Sequence, residues 1–220
     1  MILELDNVEL YFKEKRILNG IYLKAQTGEV TGILGSNGCG KSCILNIIFG
    51  TLKPKYKLIR LDSKPILKPL YRTERVHFLP QLPVAPNNLK LQTAFKLFQV
   101  NWNEFIAHFE SFSIYKNYKF HQLSGGERRV VETYMLLKSP TDIVLLDEPF
   151  SHVAPLYIEK IKELIAEEKQ RKIIIITDHL YRDIIETSDN LYLIKAGYSK
   201  LITDLKLLED YRYISQDMLR

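Results

Sequence analysis

The 220-residue chain lacks several features that would assign it to a specialised class of protein. Its only two cysteines, Cys39 and Cys43, are four residues apart, too close for a disulfide framework, and no second Cys or His pair completes a zinc site. No apolar run approaches the roughly 20 residues of a membrane-spanning helix. The opening MILELDNVEL lacks the basic-then-apolar pattern of a secretion signal. We therefore expect a reducing, cytosolic setting.

The composition is that of an ordinary folded domain. Hydrophobic residues make up 46% and charged residues 26% of the chain, which excludes disorder, collagen and coiled-coil arrays as its main character. Its length fits one sizeable domain, or one domain with a smaller lobe. The net charge of +5 permits contact with nucleic acid, anionic ligands or a membrane surface but selects none of them.

Strand-like and helix-like segments alternate along the chain. Strands are predicted at 3–10, 21–26, 30–34, 76–79, 143–146 and 173–176, and helices at 41–49, at 127–138 and from Pro155 onwards. Several of these strands are continuously apolar, as buried parallel strands are. The pattern therefore predicts an α/β fold with a mostly parallel core sheet.

Two segments interrupt this alternation. Residues 53–75 are broken by prolines and carry eight Lys or Arg, which predicts short strands and loops with a solvated basic surface; contact with membrane lipid or RNA is the alternative. Residues 84–120 hold nine aromatic side chains, many at spacings of three or four, which predicts a helical lobe with an aromatic core.

The most specific motif is a glycine-rich loop between a predicted strand and a predicted helix. Residues 35–42 match G-x-x-x-x-G-K-[ST] and are Gly35, Ser36, Asn37, Gly38, Cys39, Gly40, Lys41 and Ser42. Such a loop points backbone N–H groups at a polyphosphate, while Lys41 contacts the β- and γ-phosphates and the Ser42 hydroxyl reaches Mg²⁺. The helix start is expected to lower the thiol pKa of Cys39, so a redox role stays open beside that of a tolerated small side chain.

Two further motifs accompany this loop. The strand 143–146 runs into Asp147 and Glu148, which places Asp147 to hold Mg²⁺ and Glu148 to orient or activate an attacking water. The turn Ser124-Gly125-Gly126 caps the helix 127–138 and exposes helix-start N–H groups, so it is a second anion-binding turn. The two turns can serve one triphosphate within a chain or between two chains.

Taken together, these motifs resemble those of the ATP-binding cassette (ABC) ATPase family over about residues 1–200. By the same resemblance, Gln81 matches the family's Q-loop, His179 its H-switch, and Phe12 the aromatic that stacks on adenine, with Tyr11 as the alternative if the register slips by one. The phrases LSGGERR, LLDEPF and ITDH are similar to those of the lipopolysaccharide-export ATPase type.

The resemblance implies a P-loop NTPase fold of the ABC type, in which an antiparallel β lobe and a helical subdomain accompany the mostly parallel core sheet. It implies a single domain over 1–220. The expected parts are a nucleotide-binding core at about 1–83 and 121–200, a helical subdomain at about 84–138 and a C-terminal extension at about 201–220.

The resemblance also implies an ATPase that uses ATP and Mg²⁺ and works as a homodimer or paired cassette. Two chains pack head to tail in this family, so that the serine–glycine turn of one chain covers the γ-phosphate held by the other. The implied site residues are Glu148, His179 and Gln81 for catalysis, Phe12, residues 35–42, Ser124, Gly125 and Gly126 for the nucleotide, and Ser42, Gln81 and Asp147 for Mg²⁺.

The implied role is the ATPase subunit of a transporter, cytoplasmic and peripheral to the membrane through an integral membrane partner, with no nucleic acid expected as a partner. One alternative is a soluble cassette without a transport role, such as an assembly factor. Another is a binding module that no longer hydrolyses ATP. The presence of Lys41, Asp147, Glu148 and His179 argues against that module.

The chain departs from the family pattern in two places. Ala154 stands where the family's D-loop, S-x-x-D, has its aspartate, which normally helps to connect the two sites of the dimer. Slow turnover is therefore expected. The family's I-A-R-A-L after the second turn is replaced by residues 132–136, ETYML, which predicts altered packing of the same helix.

Overall fold

The computed structural model describes residues 1–214 as alternating strands and helices. The strands are β1 (Ile2–Phe12), β2 (Lys15–Gln26), β3 (Val30–Leu34), β4 (Tyr56–Leu61), β5 (Lys64–Pro65), β6 (Val76–Leu79), β7 (Ile143–Asp147), β8 (Ile173–Thr177), β9 (Asn190–Lys195) and β10 (Tyr198–Ile202). The helices are α1 (Lys41–Phe49), α2 (Leu91–Leu97), α3 (Trp102–His108), α4 (Gly125–Lys138), α5 (Pro155–Glu168), α6 (Tyr181–Thr187) and α7 (Lys206–Asp210), with short 3₁₀ helices at Leu70–Arg72, Glu110–Tyr115 and Phe120–Gln122. The strands and helices predicted from the sequence pattern are all present.

The central sheet has the strand order β10-β9-β3-β8-β7-β6 and is parallel except for β10. Every residue of β3, β7 and β8 is buried, as expected for strands covered on both faces. Because their carboxyl ends meet at one edge, the segments that follow these three strands lie together there. The mostly parallel α/β fold predicted from the sequence is confirmed.

A second, antiparallel sheet has the order β2-β1-β4-β5. Buried and exposed side chains alternate along much of β1, so one face of this sheet packs on the central sheet. A two-residue turn joins β1 to β2, with Phe12 paired to Lys15 and Lys13 at a φ of 55°. This turn leaves Phe12 at the end of the hairpin.

Side-chain and backbone hydrogen bonds tie the two sheets together along β2. The Ser199 hydroxyl accepts a bond from the Tyr22 amide (2.9 Å) and donates one to the Tyr22 carbonyl (2.8 Å). The Asn19 amide donates to the Gly197 carbonyl at 2.7 Å. The β9–β10 hairpin of the central sheet is thereby bonded directly to the antiparallel sheet.

A small helical lobe, built from α2, α3 and the 3₁₀ helices Glu110–Tyr115 and Phe120–Gln122, packs against α4. Its aromatic side chains form its interior, and the buried ones are Phe95, Trp102, Phe105, Phe109, Phe112 and Phe120. The Phe105 ring lies at the centre, with its centroid 4.9 Å from that of Tyr134 on α4. Tyr134 belongs to the ETYML segment, so this departure from the family pattern contributes to the contact between the lobe and α4.

The chain beyond β10 is short in the described region. Residues 206–210 form α7, whose Leu208 is buried. The last six residues of the expected C-terminal extension, 215–220, lie outside the described residues. Within residues 1–214, no helix combines the length and the apolar character that crossing a membrane requires.

Candidate nucleotide-binding and catalytic site

The glycine-rich loop connects β3 to α1 in a conformation that its glycines permit. Gly35 has a φ of 153°, and a Cβ at this position would lie 2.5 Å from the Cys39 sulfur and 2.7 Å from the Ile194 carbonyl oxygen. Any side chain at Gly35 would therefore displace the loop or β9. The loop ends at Gly40, directly before the first residue of α1.

Lys41 directs its ammonium group back into the loop. It donates hydrogen bonds to the carbonyls of Gly35 (2.6 Å) and Ser36 (3.3 Å), and only 8% of the residue is exposed. The loop therefore carries a buried positive charge next to the helix start, where an anion is also favoured by the backbone N–H groups. This combination suits a phosphate chain.

A cleft of about 270 Å³ opens beside the loop. Phe12 lies on its wall, whereas Tyr11 lies on another surface, where it bonds to Glu9 and stacks under Arg16. The structure therefore places Phe12 rather than Tyr11 at the cleft. The residues that line it are Phe12, Ile17, Asn37, Gly38, Gly40, Lys41, Ser42, Cys43, Gln81 and Glu148.

Asp147 is the last residue of β7 and is almost completely buried. Burial raises the pKa of its carboxyl from 3.8 to about 6, and a hydrogen bond from Ser42 partly offsets this. Its Oδ1 atom is buried without a hydrogen-bond partner. A carboxylate oxygen left in this way beside a hydroxyl is a suitable ligand for Mg²⁺. Within residues 1–214, no group of three acidic, His or Cys side chains forms a fuller metal cage, which fits a cation that retains water and phosphate ligands.

Glu148 and Gln81 meet at the mouth of the cleft. The Gln81 amide donates to Glu148 Oε1 at 2.9 Å and to the Ser42 hydroxyl at 3.3 Å. Glu148 has a φ of 59°, an unusual value for a residue other than glycine. Its second carboxylate oxygen, Oε2, accepts a bond from the Ser151 hydroxyl at 3.2 Å. The Glu148 carboxylate is therefore held in place by hydrogen bonds from Gln81 and from Ser151.

His179 lies next to this carboxylate on the loop after β8. Its Nδ1 atom is 3.2 Å from Asp178 Oδ1, 3.3 Å from the Ser151 hydroxyl and 3.8 Å from Glu148 Oε2. The Asp178 carboxylate is itself buried and accepts bonds from the amides of Phe150 and Leu180. Asp178 thus fixes the imidazole ring, which is about half exposed, beside Glu148.

The serine–glycine turn at the start of α4 faces a different cleft. Ser124 and Glu127 form a capping box. The Ser124 amide donates to Glu127 Oε2 at 2.8 Å, and the Glu127 amide donates to the Ser124 hydroxyl at 3.2 Å. A Cβ on Gly126 would lie 2.3 Å from the His152 carbonyl oxygen, so glycine is required there, whereas Gly125 faces open space. Gly125 lines a cleft of about 340 Å³ together with Gln81, Arg128, Glu148 and His152. In one chain, the glycine-rich loop and the serine–glycine turn therefore line two different clefts, which adjoin at Gln81 and Glu148.

The expectation for Cys39 was wrong. Burial raises the pKa of the Cys39 thiol, and the nearby Lys41 charge and backbone hydrogen bonds offset this only in part. Desolvation also raises the pKa of Cys43. Both cysteines are therefore thiols at neutral pH, and the redox role left open for Cys39 has no support in its surroundings.

Sequence reasoning missed Ser151 and Arg129, which hold the acidic strand end in place. Ser151 connects Glu148 to His179, and the Arg129 guanidinium donates to the carbonyls of Asp147 and Glu148. Ser151 is the first residue of the S-x-x-D pattern, so that motif contained a signal for it. Arg129 is the last residue of the phrase LSGGERR, but that phrase does not indicate which groups its side chain contacts.

Comparison with known proteins agrees with this geometry. A family model described as "ABC transporter" matches residues 18–151. The lipopolysaccharide export system ATP-binding protein LptB of Haemophilus influenzae is 30% identical over 212 residues, which cover 89% of this chain and 88% of the relative. The petrobactin import ATP-binding protein FpuD of Bacillus anthracis is 28% identical, over 94% of this chain and 85% of the relative.

Solved structures show the same fold. A structure described as the ATP-binding subunit of an ABC transporter superposes with a TM-score of 0.82 at 18% identity, covering 96% of this chain and 94% of the other. A nucleotide-free ATP-binding cassette from an ABC transporter gives a TM-score of 0.78 at 24% identity, covering 96% and 98% of the two chains. At these identities the likeness concerns the fold alone.

Proposed function

Since this chain belongs to the ABC transporter family and is an ATP-binding ATPase of that family, we propose that it drives a separate membrane subunit through ATP-dependent, head-to-tail dimerisation. The observation that carries this proposal is the separation of the two anion-binding turns. The phosphate loop, through residues such as Gly38 and Lys41, lines one cleft, whereas Gly125 of the second turn lines a neighbouring one. A second copy related by a twofold axis brings the turn of each chain to the phosphate loop of the other.

The side chains at the phosphate loop divide the work of hydrolysis. Lys41 binds the β- and γ-phosphates as a point charge, and Phe12 stacks on the adenine. Ser42, Asp147 and Gln81 are the residues that would hold Mg²⁺, which when bound neutralises charge on the phosphates. The unpartnered Oδ1 atom of Asp147 supports this assignment.

Glu148 and His179 act on the γ-phosphate. Glu148 orients and polarises the attacking water, because its carboxylate lies at the mouth of the cleft and is held by Gln81 and Ser151. His179 donates a hydrogen bond to the γ-phosphate and stabilises the charge that develops in the transition state, while Asp178 fixes its ring. Loss of the γ-phosphate then releases the partner chain's turn.

The segment that follows Gln81 is the proposed docking place for the membrane partner. Its side chains Leu82 and Val84 are apolar and exposed. Docking there places the chain on the cytoplasmic face of a membrane. Since Gln81 also contacts Glu148, the partner's position reaches the hydrolytic carboxylate through one side chain.

Two relatives of similar identity to this chain are named for different cargoes and directions. One is named for lipopolysaccharide export and another for petrobactin import, at 30% and 28% identity to this chain. Cargo and direction therefore do not follow from the cassette at this level of similarity. We propose that the membrane subunit determines both.

Glu148→Gln tests the dimerisation mechanism. This variant retains the nucleotide-binding side chains but removes the group that polarises water, so saturating Mg-ATP is expected to trap a dimer. Size-exclusion chromatography with light scattering measures the mass. The matched control is the same variant with Lys41→Ala, which is expected to stay monomeric. A Glu148→Gln chain that stays monomeric at saturating Mg-ATP would contradict the proposal.

Purification from detergent-solubilised membranes tests the partner. A multi-spanning protein is expected to accompany the cassette, and Leu82→Asp is expected to release it without changing ATP-dependent dimerisation. Recovery of the cassette from the soluble fraction alone, as an ATP-dependent dimer, would instead support the assembly-factor alternative.

A further inference from the structure

Arg129 occupies an unusual place for a charged side chain. It lies on the first turns of α4, only 7% of the residue is exposed, and its guanidinium points into the protein. Its three nitrogen atoms donate to three main-chain carbonyls. These belong to Glu148 (3.0 Å), Pro80 (2.6 Å) and Asp147.

These three carbonyls belong to the two segments that carry the hydrolytic side chains. Asp147 ends β7 and Glu148 directly follows it, while Pro80 directly precedes Gln81. The Gln81–Glu148 hydrogen bond of 2.9 Å joins the same two segments at the mouth of the cleft. A single guanidinium thus holds the backbone on both sides of that bond.

The backbone at Glu148 needs such a restraint. Its φ of 59° lies in the left-handed region, which a non-glycine residue adopts only when its surroundings enforce it. Three bonds enforce it here. The Glu148 amide donates to the Thr177 carbonyl at 2.6 Å, and the Glu148 carbonyl accepts from the Ser151 amide at 3.3 Å and from Arg129 at 3.0 Å. Arg129 is the one that also contacts the Gln81 segment.

The position of Arg129 is poorly explained by stability alone. Burying a guanidinium costs desolvation free energy, and burial accordingly lowers the Arg129 pKa, although the charges of Glu132 and Asp147 oppose this. An apolar side chain of similar volume would fill the space without that cost. The planar fork of Arg, however, spreads its donors over three nitrogen atoms, each of which bonds a different carbonyl here.

We propose that Arg129 is a positioning residue for ATP hydrolysis, which sets the Gln81–Glu148 pair through the carbonyls of Pro80, Asp147 and Glu148. This inference rests on the proposed roles of Glu148 and Gln81. Arg129 lies on the helix that begins with Ser124-Gly125-Gly126, so it also links the turn that covers the partner chain's nucleotide to the carboxylate that acts on the chain's own nucleotide.

The test measures hydrolysis and nucleotide affinity separately in Arg129→Lys and Arg129→Gln. Both replacements carry their donor hydrogens on a single nitrogen, so neither reproduces bonds that start from three separate nitrogens. The kcat of the isolated protein is therefore expected to fall by about 10- to 100-fold, the loss that a small misplacement of a catalytic group causes. The dissociation constant for a fluorescent ATP analogue and the ATP-dependent dimer in the Glu148→Gln background are expected to stay within about twofold of those with Arg129. Arg75→Lys is the matched control, because Arg75 pairs with Asp142 at the other end of β7 and is exposed.

Each other outcome overturns the inference. A kcat within twofold of wild type in both variants shows that Glu148 is placed without Arg129. A parallel loss of affinity and kcat, or loss of the folded state by circular dichroism in both variants, assigns Arg129 to folding instead. A failure of the proposed dimer mechanism is recognised separately, because it appears in the Glu148→Gln chain that retains Arg129.

Discussion

At the scale of single residues, the site depends on polar groups that the fold buries at a cost. Asp147 is the clearest example, since desolvation holds its pKa near 6 and leaves one oxygen without a partner. Lys41 is likewise buried, against carbonyl oxygens. Such groups reduce the stability of the nucleotide-free protein and are available to a ligand, which is the usual relation between stability and function at active sites.

Asp147→Asn is expected to stabilise the metal-free protein in a pH-dependent way. The carboxyl pKa is about 6 in the folded protein and 3.8 in the reference state, so the folded state binds the proton more tightly. The stabilisation that comes from this tighter proton binding is therefore lost as pH rises from about 4 to about 6. Above pH 6, the buried carboxylate lowers the free energy of unfolding by about 3 kcal/mol. The neutral amide avoids this cost.

Urea unfolding in the presence of a chelator measures the effect. The variant is expected to be more stable than wild type by about 3 kcal/mol at pH 7.5, with a difference close to zero at pH 4. An equal difference at both pH values would show that the carboxyl does not titrate in this way. The same variant is expected to lose Mg²⁺-dependent hydrolysis.

At the scale of structural elements, the motifs with local signals were predictable and the contacts between elements were not. The residues 35–42 loop was predictable because its glycines, lysine and flanking strand and helix are adjacent in sequence. The contacts of Arg129 were not predictable, because its partners lie 18 to 49 positions away along the chain. They are also backbone carbonyls, which every residue has. The Cys39 pKa was mispredicted for a related reason: a helix start is visible in sequence, whereas burial of the thiol is not.

The start of α5 lets two roles of position 154 be distinguished. Ala154 is the N-cap residue of α5 and forms no side-chain cap. Ala154→Asp is therefore expected to stabilise the protein by about 1 kcal/mol through capping. It also restores the aspartate of the family's D-loop, so turnover is expected to rise.

Ala154→Ser is the matched control, because serine also caps a helix but cannot supply a carboxylate. Thermal unfolding is expected to shift upward in both variants, whereas ATPase turnover rises only in Ala154→Asp. If the serine variant accelerates hydrolysis equally, the effect comes from order in α5 and not from a carboxylate between the two sites. An unchanged rate in a correctly dimerised aspartate variant would remove position 154 as the cause of slow turnover.

At the scale of the whole molecule, the two clefts face separate nucleotides in the proposed dimer. Two inactive variants should therefore complement each other when mixed. Lys41→Ala destroys the phosphate loop, and Ser124→Arg blocks the capping turn, so each homodimer has two defective sites. A mixed dimer has one intact site, formed by the loop of one chain and the turn of the other.

Mixing the two variants in equal amounts is expected to restore up to about a quarter of wild-type ATPase activity, since half of the dimers are mixed and each has one of two sites intact. The control replaces the Ser124→Arg chain by a chain with both substitutions, which leaves no intact site in any pairing. Absence of recovery, when cross-linking shows that mixed dimers form, would contradict a site shared between chains.

The hydrogen bonds between Tyr22 and Ser199 have a consequence for selectivity. Phe12 belongs to the antiparallel sheet and Lys41 follows the central sheet, so a ligand that touches both spans two separately formed layers. Because the two sheets are bonded to each other through β2 and β10, we expect the distance between the Phe12 ring and the Lys41 ammonium to be set before a ligand binds. If ATP binds as proposed, we expect it to bind without first having to draw the two sheets together, which lowers the free-energy cost of binding.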